Sequence, residues 1–117
     1  RKLAPVTQRF PALLPAADAT SQIAAGFAQY QKHCMACHRL NGAGDAQVGP
    51  DLNIPYSPTE YLSGDFLARY IRDPQAMRRW LQGRMPGFAE AQLSAEQLDA
   101  LLAYLRHMAT RKVTPTS

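Results

Sequence analysis

Two thiols and one imidazole fall within the run Cys34-Met35-Ala36-Cys37-His38, which holds both cysteines of the chain. Thiols add to activated double bonds and bind soft metals, and a neutral imidazole ligates transition metals. On a helical turn, positions 34, 37 and 38 project on neighbouring sides. That spacing lets two thiols meet the two vinyl groups of one porphyrin while the imidazole reaches its iron, and C-x-x-C-H is the signal for covalent haem attachment. Three other uses of the same residues exist. A Cys34–Cys37 disulfide demands specific geometry. A thioredoxin-like dithiol requires a preceding strand and βαβ surroundings, and the chain has no alternating strand pattern. A closed zinc site needs two more soft ligands, and outside the motif only His33 and His107 remain.

The motif needs an element to carry it, and the spacing of apolar residues supplies one. Ile23, Phe27, Tyr30 and Cys34 recur at intervals of three and four, and Thr20 or Ser21 can cap the start, so a helix is predicted to run into the motif. From Arg39 to Tyr56 the glycines, prolines and polar residues predict a long loop, and a long loop in a compact domain usually wraps something functional. Ser57-Pro58-Thr59-Glu60 is a capping box with proline at the first helical position. Ser63 and Asp65 can start the next helix, whose apolar face is Phe66, Leu67, Tyr70 and Ile71, and Asp73-Pro74 ends it. A brief segment then carries Met77, Trp80 and Leu81, and the chain loosens from Gly83 to Gly87. A second capping box, Ser94 and Gln97, opens the last helix. Leu93 and Leu98 can staple across it, and Leu98, Leu101, Leu102, Leu105 and Met108 form its stripe.

These elements make an all-α architecture. Residues 1–20, with Pro5, Pro11 and Pro15, read as an extended arm or linker, although Phe10, Leu13 and Leu14 are too apolar for an idle tail. Residues after Arg111 are expected to fray. The chain has 117 residues, 46% hydrophobic and 19% charged, which suits one globular domain. No apolar stretch approaches the ~20 residues of a membrane helix, so a soluble chain is expected. Arg1 opens it without methionine or an apolar leader, which suggests either a removed export signal or a piece of a longer protein. The formal charge is +4, with Arg69, Arg72, Arg78, Arg79 and Arg84 clustered around the lone acid Asp73. That stretch lacks interleaved stacking aromatics and a reading motif, which argues against nucleic acid. It reads as a solvated face, a counter-charge for acidic groups of a cofactor, or a docking rim for an acidic partner.

The order of these features resembles the class I cytochrome c family. The resemblance covers residues 21–110, leaving residues 1–20 as the arm and 111–117 as a tail. It rests on Cys34-Met35-Ala36-Cys37-His38 after an amphipathic helix, Gly49-Pro50-Asp51-Leu52 in the next loop, Arg84-Met85-Pro86-Gly87-Phe88 later, and a last helix holding Tyr104. It implies several helices around one haem c, attached through Cys34 and Cys37 and ligated by His38. The resemblance also makes Met85 the sixth iron ligand, a thioether that raises the potential relative to a second imidazole. Met85 lies between two glycines, beside proline and off any helical stripe, whereas core filling explains Met77 and Met108. His33 and His107, the competing ligands, are expected at the surface.

By the same resemblance, the Pro50 carbonyl accepts the other N–H of His38. Leu52, Phe66, Leu67 and Ile71 wall the haem, and Tyr70, Arg72 and Trp80 can donate to its propionates. For those three donors, plain packing or a solvated face is the competing reading. Gly26 and Phe27 are expected to cross the last helix at Tyr104. The function implied is one-electron transfer, as a free carrier or as the cytochrome domain or subunit of a larger redox enzyme, with a redox protein as partner. The alternative is a haem enzyme or gas sensor whose sixth position is open, although no distal acid and base are evident. The family matures outside the cytoplasmic membrane, so a periplasmic or equivalent compartment is expected, with no disulfide because both cysteines hold haem.

Overall fold

A computed structural model describes residues 6–44, 50–54, 56–62, 64–74 and 87–113. The described elements are helical: α1 (Val6–Arg9), a 3₁₀ turn (Pro11–Leu13), α2 (Ser21–His33), α3 (Pro58–Tyr61), α4 (Gly64–Arg72) and α5 (Ala95–Ala109). Among the described residues there is no strand, only an isolated antiparallel bridge between Leu40 and Ala43. Thr20 caps α2 by accepting the Ile23 N–H. Both capping boxes form. Glu60 Oε1 accepts the Ser57 N–H at 2.7 Å, and Gln97 Oε1 accepts the Ser94 N–H at 2.8 Å. Leu93 and Leu98, on either side of the second box, are both buried, as a hydrophobic staple requires.

The core is the crossing of α2 and α5, the most extensive packing between any two described elements. Gly26 sets its closeness. A Cβ built there would lie 1.9 Å from the Ala100 carbonyl oxygen and 2.7 Å from Tyr104 Cβ, so the helices meet backbone against backbone. Tyr104 is fully buried between Phe27 and Tyr30, with ring centroids 5.3 and 5.5 Å away. One stacked and one tilted aromatic pair beside a glycine fix the angle at which α2 reaches the motif. The apolar stripe of α5 is buried from Leu98 to Met108, and Leu67 and Ile71 turn α4 onto the same core.

Both ends of the described stretch, residues 6–13 and 112–113, are more ordered than the sequence suggests. Where an extended arm is expected, residues 6–13 form a helical turn and a 3₁₀ turn, because Leu13 is fully buried and the chain must bend to seat it. Tyr104 Oη donates to the Leu13 carbonyl at 2.5 Å, and Asn41 Nδ2 donates to the Ala12 carbonyl at 3.1 Å. At the other end, Lys112 and Val113 are tied down where fraying is expected. Val113 N–H donates to Asn41 Oδ1 at 3.1 Å, and Lys112 Nζ contacts Glu60 Oε1 at 2.7 Å. The sequence displays neither tie because both partners are remote in the chain.

Candidate functional site

The motif begins where α2 stops. Cys34 N–H donates to the Tyr30 carbonyl at 2.9 Å, and the N–H groups of Cys37 and His38 return to the Cys34 carbonyl at 3.1 and 2.9 Å. Two successive tight turns thus place Cys34 inward, with 9% of its surface exposed, and leave Cys37 and His38 half-buried. Both cysteines are free thiols. Burial, reinforced by Cys37, pushes the Cys34 thiol up to about 12, so it is a neutral group and a poor free nucleophile. Burial also raises Tyr30, with smaller contributions from Cys34 and Asp51, so its hydroxyl stays protonated. Tyr30 Oη donates to the His38 carbonyl at 3.3 Å and ties the end of the motif back to the helix before it.

His38 Nδ1 lies 2.8 Å from the Pro50 carbonyl oxygen. A carbonyl only accepts, so Nδ1 carries the proton and Nε2 keeps a lone pair. The loop delivers that carbonyl through several supports. Asn41 and Gly42, at φ 55° and 74°, form a left-handed turn closed by mutual hydrogen bonds of Leu40 and Ala43. The Asp51 carboxylate accepts from Gly42 N–H at 2.7 Å through Oδ2, and from Asn53 and Ile54 N–H at 2.8 and 2.7 Å through Oδ1. Leu52 N–H donates to the Arg39 carbonyl at 2.8 Å. Pro50 is thereby joined to a strip stitched alongside the residues that follow His38.

The other expected site residues distribute as follows. Leu67 and Ile71 are buried, Leu52 is half-buried against the core, and Phe66 and Tyr70 are half-buried on α4 with rings 6.4 Å apart. Arg72 has an engagement that the sequence does not show: its Nη1 donates to the Phe88 carbonyl at 2.9 Å and to the Leu93 carbonyl. It therefore ties α4 to the approach to α5. Gly49, Trp80 and Met85 lie outside the described residues. Both competing histidines are half-buried rather than fully exposed. His107 Nε2 accepts the Ala16 N–H at 3.0 Å, and the ring of His33 packs 4.9 Å from Phe88 with its Nε2 buried. Helix packing and arm docking, both invisible in local sequence, cover them in part.

Among the described residues, no cluster of three or more His, Cys, Asp or Glu is placed to hold a metal ion. The arrangement is instead two thiols one turn apart, followed by an imidazole with a committed tautomer. The family model for cytochrome c matches residues 23–109. The chain belongs to the cytochrome c family. Membership in the cytochrome c family implies haem-based electron transfer, a covalently bound haem c and redox partners. Searches of curated proteins and of solved structures returned no significant match. No helix among the described residues is long and apolar enough to cross a membrane.

The described residues fit the haem c of a cytochrome c. Cys34 and Cys37 have the C-x-x-C-H spacing, and the free lone pair of His38 is the donor a haem iron takes. Asn41, Asn53 and Lys112 support this site without being named by sequence reasoning, which also gave Tyr30 and Asp51 no site role of their own. Two signals were present: Asn41-Gly42 is a left-handed turn pair, and Asp51-Leu52-Asn53 suits an aspartate that caps the backbone two residues on.

Proposed function

We propose that this chain is a one-electron carrier, either free or as the cytochrome domain or subunit of a larger oxidoreductase. In this reading Cys34 and Cys37 hold the haem as thioethers, and His38 Nε2 and the Met85 sulfur ligate iron. When bound, the haem supplies a metal that accepts and returns one electron. The observation that carries the reading is the 2.8 Å hydrogen bond from His38 Nδ1 to the Pro50 carbonyl, which fixes the tautomer and orients the ring. Leu52, Leu67 and Ile71 would wall the haem and exclude water, and Tyr70 and Trp80 are the candidate donors to its propionates. Arg72 has its Nη1 engaged by the Phe88 and Leu93 carbonyls and braces α4. The family resemblance supports a periplasmic or other extracytoplasmic location. The partner is a redox protein, and the exposed Arg69, in an arginine-rich stretch, favours one with an acidic face.

Visible and near-infrared spectra of the oxidised and reduced protein test this reading, together with a carbon monoxide challenge. The expected result is a low-spin c-type spectrum whose methionine-to-ferric band is lost in Met85→Ala, with slow or absent carbon monoxide binding by the unmodified protein. A high-spin spectrum, or prompt carbon monoxide binding at neutral pH, would sink the closed-site reading and favour catalysis or gas sensing.

A further inference from the structure

We propose that Asn53 is a positioning residue for the iron ligand: with the buried Asn41 and the exposed Lys112 it forms a polar strut that holds the Pro50 carbonyl against His38. The inference rests on His38 being that ligand. Asn53 has 0% of its surface exposed, and its amide is satisfied from separate parts of the chain. Nδ2 donates to Asn41 Oδ1 at 2.7 Å, in the left-handed turn after His38, and to the Met108 carbonyl at 2.7 Å, on α5. Lys112 Nζ reaches Asn53 Oδ1 at 3.4 Å and also donates to the Asn53 main-chain carbonyl. Asn41 extends the strut, with Nδ2 donating to the Ala12 and Arg111 carbonyls at 3.1 Å each.

This strut connects to the ligand in short steps. Asn53 N–H bonds the same Asp51 carboxylate that holds Gly42, and Asp51 directly follows Pro50. Fixing Asn53 to α5 and to Asn41 therefore holds the Asp51–Asn53 side of the peptide whose carbonyl faces His38 Nδ1, together with the turn that Asp51 grips. Burial of an apolar side chain does not account for the residue, because leucine of similar shape would fill the volume without a desolvated amide. What the amide adds is direction: one donor group satisfies two acceptors that belong to the loop and to the last helix.

A firmly held carbonyl strengthens the Nδ1–H···O hydrogen bond, makes the imidazole a better electron donor to iron and favours the ferric state. Loosening it should move the midpoint potential to more positive values. The test uses Asn53→Leu and Lys112→Met in the haem-loaded protein. Its readouts are midpoint potential by spectroelectrochemistry, hydrogen exchange of the His38 ring N–H by NMR, and melting temperature.

The expected result is faster ring N–H exchange in both variants, with a positive potential shift that is larger for Asn53→Leu. A tenfold change in the oxidised-to-reduced ratio corresponds to ~59 mV for a one-electron couple. If Asn53→Leu fails to fold, Lys112→Met, which keeps the buried amide, carries the test. Unchanged potential and ring exchange in Lys112→Met, whether or not the melting temperature falls, overturn the strut and leave a merely structural network. Failure of the underlying reading looks different: the unmodified protein then shows no covalent haem, or His38→Ala keeps the original low-spin spectrum.

Discussion

Gly26→Ala places two known effects in opposition, and the structure decides between them. On helix propensity alone, alanine in the middle of α2 should stabilise by about 1 kcal/mol. The new methyl group, however, would sit 1.9 Å from the Ala100 carbonyl oxygen and 2.6 Å from its carbon. Reaching ordinary contact near ~3.5 Å requires the helices to separate by roughly 1.5 Å. Neither neighbour is a side chain tip that can rotate away. The separation also loosens Tyr104 from Phe27 and Tyr30, so the cost falls at the upper end of overpacking, about 3 kcal/mol. The net loss is about 2 kcal/mol, or roughly 10 °C in Tm for a domain of this size. Far-UV circular dichroism melts of the haem-loaded protein would measure it, with Ala24→Gly, exposed on the same helix, as the propensity control. A Gly26→Ala protein that melts at or above the unmodified temperature would refute the close crossing.

Other expectations follow from single groups. Tyr104→Phe keeps the ring but leaves the buried Leu13 carbonyl without its donor, so stability should fall by about 1–3 kcal/mol in denaturant titration, and an unchanged midpoint would contradict the arm's docking. Burial, then the charge of Lys32, hold His33 below the ordinary histidine range against a smaller opposing effect of the Gln92 carbonyl. As pH falls from ~7 toward ~5, the unfolded state takes up that proton first and stability declines. His33→Gln should flatten the decline relative to the unmodified protein, and parallel pH–stability curves would remove His33 from the account.

Local signals were legible where the physics is local. The capping boxes at Ser57 and Ser94, the stripe of α5 and the stop before Asp73-Pro74 each depend on neighbours a few residues apart, and each stands where the sequence puts it. The crossing at Gly26 and Tyr104 was legible through the family resemblance, as was the Pro50 carbonyl. What stayed hidden depends on remote partners. Nothing near Asn53 signals that Met108 and Lys112 will meet it, and nothing near His107 signals that Ala16 will donate to it. Arg72 illustrates the same limit, since a guanidinium in an arginine-rich stretch suggests charge pairing until Phe88 and Leu93 are folded against it.

The bonds from Tyr104 to Leu13 and from Ala16 to His107 each join residues 91 positions apart. Closing a loop of that length costs about 4 kcal/mol of chain entropy, and little is returned until α2 and α5 meet. The domain is therefore shut from its ends, like a purse drawn by its string. Partial structures gain little from the middle of the chain alone, so folding should be all-or-none, and loosening either terminal segment should unsettle the fold as a whole.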